Sequence, residues 1–393
     1  MLRLVADANI PAALEAFSGF GEARLLPGRE IERRHLVDAD VLLVRSVTRV
    51  DAALLEGTPI RFVGTATAGT DHVDADALRQ LGVAFASAPG SNATSVVEYV
   101  IAALLALASD RGVGLAGRTL GVIGAGQVGS RLIPRARALG LHVVASDPPL
   151  DASRGLADVV LVELAEVLHR ADILTLHTPL STPETSAHPT LGMIDAEALQ
   201  TIRPGAWLVN AARGRVVDGI ALAEALGRRQ LGAAVLDVWP KEPDPDPELV
   251  ERVALGTPHI AGYSFDGKLA GTRQLEAALR AWVEDPPLPW DASPWLEPPS
   301  PLVVTAPAAP ADASDPVQQA AWLHAVARQA YDVRADDARF RSALRDADDR
   351  ASAFTTLRKT YPVRREWSNY SIQGVIPEPL REAVRIGLAM GSQ

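Results

Sequence analysis

The sequence predicts an α/β protein with two doubly wound parallel sheets and a small α+β domain at the carboxyl end. Three observations support this fold class. Short β-like runs alternate with helical patterns over the first 90 residues, the same alternation resumes near residue 119, and proline becomes dense after residue 285. Repeated strand–helix alternation implies parallel strands joined by right-handed helical crossovers.

The first alternating region has predicted strands at residues 2–6, 41–44 and 61–65 and predicted helices at 11–17 and 51–56. A long helix is predicted to begin near residue 92. Its apolar residues occur nearly all the way round, which indicates a helix buried between two bodies.

The second alternating region has predicted strands at 119–123, 142–146, 173–176, 207–209 and 233–236, with helices at 128–139 and 220–227. A further helix, 265–284, is placed where it could return the chain to the first body. After the proline-rich connector, residues 317–331 show a helical pattern and residues 367–375 a strand-like one. The predicted domains are therefore residues 1–95 with 265–285, residues 96–264, and residues 286–393.

The bulk composition excludes several classes of function. The chain has 393 residues, 48% hydrophobic and 22% charged, which is typical of a globular protein. A formal net charge of −10 argues against nucleic acid or an acidic membrane surface as the main partner. The absence of cysteine excludes disulfides, thiolate metal sites and cysteine nucleophiles, and we expect no metal. The first residues do not resemble a signal peptide, so a cytoplasmic protein is expected.

A glycine-rich turn follows the predicted strand 119–123. Gly124, Gly126 and Gly129 are spaced as Gly-x-Gly-x-x-Gly, and a helix is predicted after them. Gly124 permits a tight turn, Gly126 lets the backbone approach a pyrophosphate, and Gly129 lets the helix pack close to the strand. This context, more than the glycines alone, predicts a Rossmann-like dinucleotide site.

Asp147 lies 18 residues after Gly129, at the end of the next predicted strand. An acid at this point binds the ribose hydroxyls and favours NAD over NADP, because it would repel a 2′-phosphate. The alternative interpretation is that Asp147 caps a helix or forms a turn before Pro148 and Pro149.

Three further segments place polar residues just after predicted strands of the same sheet, where open parallel sheets bind ligands. They run from Asn210 to Gly214, from Asp237 to Pro243 and from Thr257 to Gly262. Their members Arg213, Glu242 and His259 supply a guanidinium, a carboxylate and an imidazole. Each alone is typical of an ordinary loop residue, a helix boundary or a surface charge, so the prediction depends on their combination.

That combination suits oxidation of an alcohol next to a carboxylate. An imidazole can accept the hydroxyl proton near neutral pH, and a carboxylate can orient the imidazole and stabilise its protonated form. A guanidinium can hold the substrate carboxylate through two parallel hydrogen bonds. We therefore predict Arg213, Glu242 and His259 as the catalytic residues.

The motifs Asn-x-x-Arg-Gly, Asp-Val-Trp-x-x-Glu-Pro and Thr-Pro-His-Ile-Ala together resemble the D-isomer-specific 2-hydroxyacid dehydrogenase family over roughly residues 1 to 285. Further stretches, 44–48, 64–72, 259–264, 331–334 and 364–368, are similar to one branch of it, the erythronate-4-phosphate dehydrogenases. This second resemblance extends over nearly the whole chain. It implies a homodimer formed through the C-terminal domain.

The resemblance implies that the chain uses NAD to oxidise 4-phospho-D-erythronate to 2-oxo-3-hydroxy-4-phosphobutanoate in pyridoxal 5'-phosphate biosynthesis. Residues 1–95 with 265–285 would bind the substrate and residues 96–264 the cofactor. The implied substrate contacts are Ser46, Thr67 and Tyr263. The residues expected to line the cofactor are Gly124, Gly126, Gln127, Val128, Gly129, Asp147, Thr178, Ala211, Ala212, Arg213, Asp237 and Gly262.

A substrate with a phosphate needs basic residues, and Arg45, Arg49 and Lys268 are candidates, with Arg45 preferred. Ser46 and Thr67 could equally bind loop backbone at strand ends. Two alternatives stay open for the function: another hydroxyacid dehydrogenase, such as one for phosphoglycerate, and an NADH-sensing corepressor-like scaffold. Segment 181–192 and the tail 373–393 have no predicted role.

Overall fold

The computed structural model describes residues 1–153 and 159–392. The chain divides into two compact units. The first consists of Met1–Asn92 and Tyr263–Ser300, and the second of Ala93–Gly262 and Pro301–Gln393. Each unit is built on its own parallel sheet.

Strands and α-helices alternate along most of the chain. The strands are β1 (Leu2–Asp7), β2 (Gly21–Leu26), β3 (Val41–Val44), β4 (Phe62–Thr65), β5 (Ala84–Ala86), β6 (Thr119–Ile123), β7 (His142–Ser146), β8 (Ile173–Leu176), β9 (Ala206–Asn210), β10 (Leu231–Leu236), β11 (Leu255–Gly256), β12 (Leu302–Thr305), β13 (Tyr370–Gln373) and β14 (Gly391–Ser392). The α-helices are α1 (Ala13–Phe17), α2 (Ala52–Leu55), α3 (Ala75–Gln80), α4 (Ala93–Arg111), α5 (Gly129–Ala138), α6 (Pro148–Ser153), α7 (Leu164–Arg170), α8 (Ala196–Thr201), α9 (Gly219–Gly227), α10 (Pro247–Arg252), α11 (Phe265–Trp282), α12 (Ser293–Leu296), α13 (Pro316–Ala330), α14 (Val333–Asp346) and α15 (Arg350–Lys359).

The first unit contains a five-stranded parallel sheet in the order β2-β1-β3-β4-β5. Successive residues of a strand point to opposite faces of the sheet. Leu4 of β1 therefore packs in a core with Phe17 and Leu275, whereas Val5 packs in a second core on the other face. Leu275 belongs to α11, so this helix joins the first unit, as its position in the sequence predicts.

The second unit contains a six-stranded parallel sheet in the order β11-β10-β9-β8-β6-β7. Its long helix α4 is buried along nearly its whole length, in agreement with the apolar residues on all its faces. Within the described residues, α4 is also the one helix long and apolar enough to cross a membrane, and 83% of its most apolar window is buried inside the protein. Such burial is that of a core helix.

The C-terminal segment forms a small parallel sheet, β12-β13-β14, and contributes α13, α14 and α15. Phe340 and Phe354 from α14 and α15 lie in the same core as Leu208, Leu236 and Trp239 of the second unit. This shared core explains why the segment packs as part of the second unit, which differs from the separate domain in the sequence prediction. Two parallel α/β sheets followed by an α+β segment confirm the predicted fold class.

Residues 286–300 also differ from the prediction, because they pack in the first unit. Trp290 lies against the core that contains Phe17, and its backbone N–H donates to Glu276 of α11. In the two larger sheets, the strands that the sequence did not predict are β2, β5 and β11, and in the C-terminal sheet they are β12 and β14. Strands β2 and β5 lie at the edges of their sheet and are only half buried, and β11 has two residues, so none of these three shows a clear apolar pattern.

Candidate active site

The polar segments predicted to form the site all lie at one edge of the six-stranded sheet. Strands β8 and β10 both pair with Asn210 at the end of β9, and the end of β6 pairs with the end of β8. Because all strands are parallel, the segments that follow them leave the sheet on the same side. The sheet thus places the glycine turn and the segments carrying Arg213, Glu242 and His259 along one edge.

Glu242 and His259 form a hydrogen-bonded pair. The Nδ1 atom of His259 lies 2.8 Å from Oε2 of Glu242, and the other carboxylate oxygen accepts the backbone N–H of Trp239 at 2.8 Å. Both side chains remain partly exposed, at 34% for His259 and 24% for Glu242. The pair is therefore held firmly on the Nδ1 side while the imidazole keeps access to a ligand.

The surroundings favour the ionised form of Glu242. Burial alone would raise the pKa of this carboxyl, but attraction and hydrogen bonding by His259, the Trp239 N–H and the charge of Arg358 together lower it. Glu242 therefore carries a negative charge at neutral pH. Such a charge beside Nδ1 stabilises the imidazole when it takes up a proton.

The backbone of His259 adopts a left-handed conformation, with φ 59°. Non-glycine residues rarely occupy this region, and such residues cluster at functional sites. The conformation is held by Asp237, whose carbonyl accepts the His259 N–H at 2.7 Å.

The side chain of Asp237 is buried and organises the segment after β11. Its carboxylate accepts three hydrogen bonds, from the Thr257 hydroxyl and the Ile260 N–H at 2.7 Å each, and from the Ala261 N–H at 2.8 Å. The sequence prediction placed Asp237 beside the cofactor and missed this role. The Asp-Val-Trp motif alone could not reveal it, since the partners lie 20 or more residues away.

Arg213 follows β9 and is half buried. Its segment is fixed by Asn210, whose side chain bonds both the Arg213 carbonyl and the Ala212 N–H. The next residue, Gly214, touches the backbone that leads to Glu242: a Cβ on Gly214 would lie 2.0 Å from the carbonyl carbon of Trp239. The structure thus brings the Arg213 and Glu242 segments into direct backbone contact.

The glycine turn has the geometry that a dinucleotide requires. Gly124 has φ +90°, and a Cβ on Gly129 would lie 2.1 Å from the Gly124 carbonyl oxygen. By contrast, a Cβ on Gly126 would meet no atom within 4 Å, so the backbone there faces open space at the amino end of α5. This end of a helix favours a pyrophosphate.

Asp147 and Thr178 lie beside this turn. The Asp147 carboxylate accepts the N–H of Ala125, within the turn, at 2.8 Å. The Thr178 hydroxyl is buried and has no hydrogen-bond partner within the described residues. The preceding residue, His177, contacts the turn: a Cβ on Gly124 would lie 2.7 Å from the His177 carbonyl oxygen. An unused hydroxyl of this kind fits a residue that bonds a bound cofactor.

No group of three or more potential metal ligands occurs in residues 1–153 and 159–392.

The predicted substrate residues lie in the first unit. Arg45 and Ser46 follow β3, and Thr67 follows β4, which pairs with β3 in parallel register. The Thr67 hydroxyl donates to the Gly69 carbonyl at 2.8 Å and lies 2.8 Å from the Thr65 hydroxyl. The Thr67 hydroxyl therefore supports loop backbone, which was the alternative interpretation.

Tyr263 lies just before α11 in the same unit. The Lys268 ammonium is 4.7 Å from the centre of its ring, a cation–π contact. The same helix touches the β4 loop, because a Cβ on Gly271 would lie 2.9 Å from the Ala66 carbonyl oxygen. The loops after β3 and β4 and the start of α11 are thus parts of one structural unit.

The comparisons with known proteins agree with this geometry. Residues 105–261 match the family described as D-isomer specific 2-hydroxyacid dehydrogenase, NAD binding domain, and residues 302–387 match a domain of unknown function. The chain is 48% identical to the erythronate-4-phosphate dehydrogenase of Salinibacter ruber, over 99% of this chain and 98% of that protein. It is 49% identical to the enzyme of the same name from Azotobacter vinelandii, over 100% of both chains.

The chain belongs to the erythronate-4-phosphate dehydrogenase family. Solved structures support the fold of its larger part. A protein from Thermus thermophilus has a TM-score of 0.61 and 28% identity and covers 73% of this chain and 100% of its own. The D-lactate dehydrogenase from Aquifex aeolicus, complexed with NAD and lactic acid, has a TM-score of 0.60 and 24% identity and covers 72% of this chain and 95% of its own.

Membership of this family confirms the predicted class of enzyme and its cofactor. The chain is an NAD-dependent dehydrogenase, and the matched NAD-binding region contains the glycine turn, Arg213, Glu242 and His259. The individual residues predicted to contact NAD remain predictions. The open space at Gly126 and the hydroxyl of Thr178 agree with them.

Replacing Gly126 by valine is expected to weaken NAD binding by roughly ten- to a hundredfold while leaving the fold intact. The added Cβ would meet no atom within 4 Å, and the side chain would occupy the space where the pyrophosphate approaches the backbone. NADH binding measured by fluorescence titration, together with thermal unfolding without cofactor, would check this. Binding equal to that of the unchanged protein would contradict the placement of the pyrophosphate at Gly126.

Proposed function

We propose that the chain oxidises 4-phospho-D-erythronate at C2 to 2-oxo-3-hydroxy-4-phosphobutanoate, a step of pyridoxal 5'-phosphate biosynthesis. The observation that carries this proposal is the 2.8 Å contact between His259 and Glu242, at the same sheet edge as the dinucleotide turn. Relatives named for this activity match the chain along its whole length. Together they favour this substrate within the wider dehydrogenase family.

His259 would act as the general base. Because Nδ1 faces Glu242, the neutral imidazole carries its proton on Nδ1 and presents the lone pair of Nε2. Nε2 accepts the proton of the C2 hydroxyl as the C–H bond breaks, and Glu242 stabilises the imidazolium that forms. Bound NAD supplies the acceptor for the hydride from C2. Arg213 would hold the substrate carboxylate and polarise the C2 oxygen.

The first unit would contact the rest of the substrate through Ser46, Thr67, Tyr263 and Arg45. A phosphate monoester adds about 1.5 to 2 negative charges at neutral pH, so its binding calls for a cation. Arg49 is paired with Asp51 at 2.8 Å and Lys268 lies over Tyr263, whereas the Arg45 guanidinium has no such partner in the described chain. Arg45 is therefore our candidate for the phosphate.

A comparison of substrates tests the proposal. We expect kcat/KM for 4-phosphoerythronate, measured by NADH production at 340 nm, to exceed that for 3-phosphoglycerate or D-lactate by at least about a hundredfold. The reason is that 3-phosphoglycerate and D-lactate each lack groups that the site would bind. Faster oxidation of 3-phosphoglycerate would instead identify the chain as a phosphoglycerate dehydrogenase.

Replacing Glu242 by glutamine is expected to lower kcat near neutral pH by at least about tenfold. Attraction and hydrogen bonding by His259 lower the pKa of Glu242 despite burial, so the carboxylate is ionised and can stabilise the imidazolium that forms in the reaction. The neutral amide lacks this charge. Steady-state oxidation rates near neutral pH check this, and an unchanged kcat would contradict the pairing.

We also propose that the protein is a cytoplasmic homodimer formed through its C-terminal segment. Val363 and Val375 of this segment are apolar, and in the single chain they are 80% and 81% exposed. Light scattering after gel filtration should show twice the mass of one chain, and a change of both valines to aspartate should shift the protein towards the monomer. A monomer at micromolar concentration would overturn this proposal.

A further inference from the structure

Trp239 connects the two members of the catalytic pair. Its backbone N–H donates to Glu242 at 2.8 Å, and its indole N–H donates to the carbonyl of Thr257 at 2.9 Å, two residues before His259. The side chain is only 2% exposed. Any shift of Trp239 would therefore be transmitted to both Glu242 and the segment that carries His259.

The C-terminal helix α14 fixes the position of the indole. The ring of Phe340 lies 5.3 Å from that of Trp239, measured between centroids, with 32° between the ring planes. On another side the indole is bounded by Gly256, where a Cβ would lie 2.9 Å from the Trp239 ring and 3.3 Å from that of Phe340. Gly256 and Phe340 thus leave little room for the indole to move.

The same helix also holds β11 directly. Oδ1 of Asp337 accepts the N–H of Gly256 at 2.7 Å, and Arg341 donates to the same carboxylate at 2.8 Å. Arg341 in turn donates to the carbonyl of Val253 at 2.9 Å. These charged hydrogen bonds fasten the strand that ends three residues before His259.

We propose that Phe340 and Asp337 are positioning residues for the catalytic pair: Phe340 orients Glu242 through Trp239, and Asp337 holds the base of the His259 segment. The C-terminal segment, most of which matches the model of a domain of unknown function, thereby takes part in the dehydrogenase reaction within its own chain. Within residues 1–153 and 159–392, no hydrogen bond or ion pair joins either residue to Glu242 or His259, so both act through other residues. The inference goes beyond the substrate assignment and rests on the proposed function only for the roles of Glu242 and His259.

Phe340→Leu and Phe354→Leu form a matched test. Both phenylalanines are fully buried in the same core and their rings lie 6.1 Å apart, but Phe340 is the one whose ring lies beside that of Trp239, at 5.3 Å between centroids. We expect Phe340→Leu to lower kcat about tenfold, because small displacements of a catalytic group reduce the rate strongly. The KM for NAD should change less than twofold. Phe354→Leu should lower kcat less than twofold at a similar loss of thermal stability.

A double-mutant cycle shows whether Phe340 acts through Glu242. In the Glu242→Gln background, Phe340→Leu should lower kcat no further, because the carboxylate that Phe340 helps to orient is already absent. An equal further loss in that background, or equal kcat losses for Phe340→Leu and Phe354→Leu, would reduce Phe340 to a structural role and overturn the proposal. A wild-type enzyme that fails to oxidise 4-phosphoerythronate would refute the proposed substrate, and the same cycle would then be measured with whichever hydroxy acid it does oxidise.

Asp337 provides a second set of variants in case Phe340→Leu does not fold. Asp337→Ala removes the acceptor of the Gly256 N–H and should lower kcat by about fivefold or more, by the same argument from displacement. Asp337→Asn retains an oxygen at the same place and should recover most of the lost rate. Equal rates for Asp337→Ala and the unchanged protein would show that the hydrogen bond to Gly256 has no part in positioning His259.

Discussion

Replacing His259 by asparagine is expected to lower kcat for oxidation of the hydroxy acid by roughly a hundred- to ten-thousandfold, the usual contribution of a general base. Asparagine is chosen because it tolerates the left-handed backbone that His259 adopts at φ 59°, so the loop need not rearrange. Its amide cannot accept a proton near neutral pH. The change thus removes the base while preserving its support.

The control for this prediction is His142→Asn. His142 is exposed and begins β7, where it pairs with Thr119 at the start of β6. It therefore lies at the amino ends of the strands, whereas His259 lies at their carboxyl ends. It should leave kcat unchanged. NADH affinity, measured by fluorescence titration, should stay within about threefold in both variants, because neither removes a residue of the glycine turn. A His259→Asn protein that retains a tenth or more of the normal kcat would mean that another group accepts the proton.

The placement of the three residues proposed as catalytic could be predicted from the sequence, because each lies directly after a predicted strand. Arg213, Glu242 and His259 each follow a strand of a parallel sheet, and the carboxyl ends of such strands share an edge. A carboxylate and an imidazole at that edge were expected to pair, and the structure places them 2.8 Å apart. The strand order was not needed for this inference, only the parallel arrangement.

The groups that support the pair could not be predicted, because they are distant in sequence. Asp237 bonds residues 20 to 24 positions further along the chain, and Asp337 bonds Gly256 across 81 positions. Nothing local to Asp337 distinguishes it from other acidic residues on an amphipathic helix. Its role depends on the packing of α14 against β11, which arises from the shared core of Trp239 and Phe340.

The boundary of the C-terminal segment shows the same limit. A dense run of prolines predicted an extended connector followed by an independent domain. The connector instead packs partly in the first unit through Trp290, and the helices beyond it bury Phe340 and Phe354 in the core of the second. Composition alone indicates where regular structure is interrupted. It does not indicate in which core the apolar faces of the following helices are buried.

A second variant with a large expected effect is Gly214→Ala. Its Cβ would lie 2.0 Å from both the carbonyl carbon and the carbonyl oxygen of Trp239, so backbone must move. We expect a loss of roughly 1 to 3 kcal/mol in the free energy of unfolding, as for other overpacked sites. Because the displaced segments carry Arg213 and Glu242, we also expect kcat to fall by about a hundredfold.

Gly232→Ala separates these two effects. Gly232 lies near the start of β10, and its Cβ would meet the Gly205 carbonyl oxygen at 2.4 Å, a comparable clash at the opposite edge of the same sheet. Urea unfolding should show a similar loss of stability in both variants. Only Gly214→Ala should lower kcat per folded molecule, since only its clash separates the arginine segment from the glutamate segment. If Gly232→Ala lowered kcat as much, the loss would reflect a loosened sheet, and the close contact between Gly214 and Trp239 would have no particular part in catalysis.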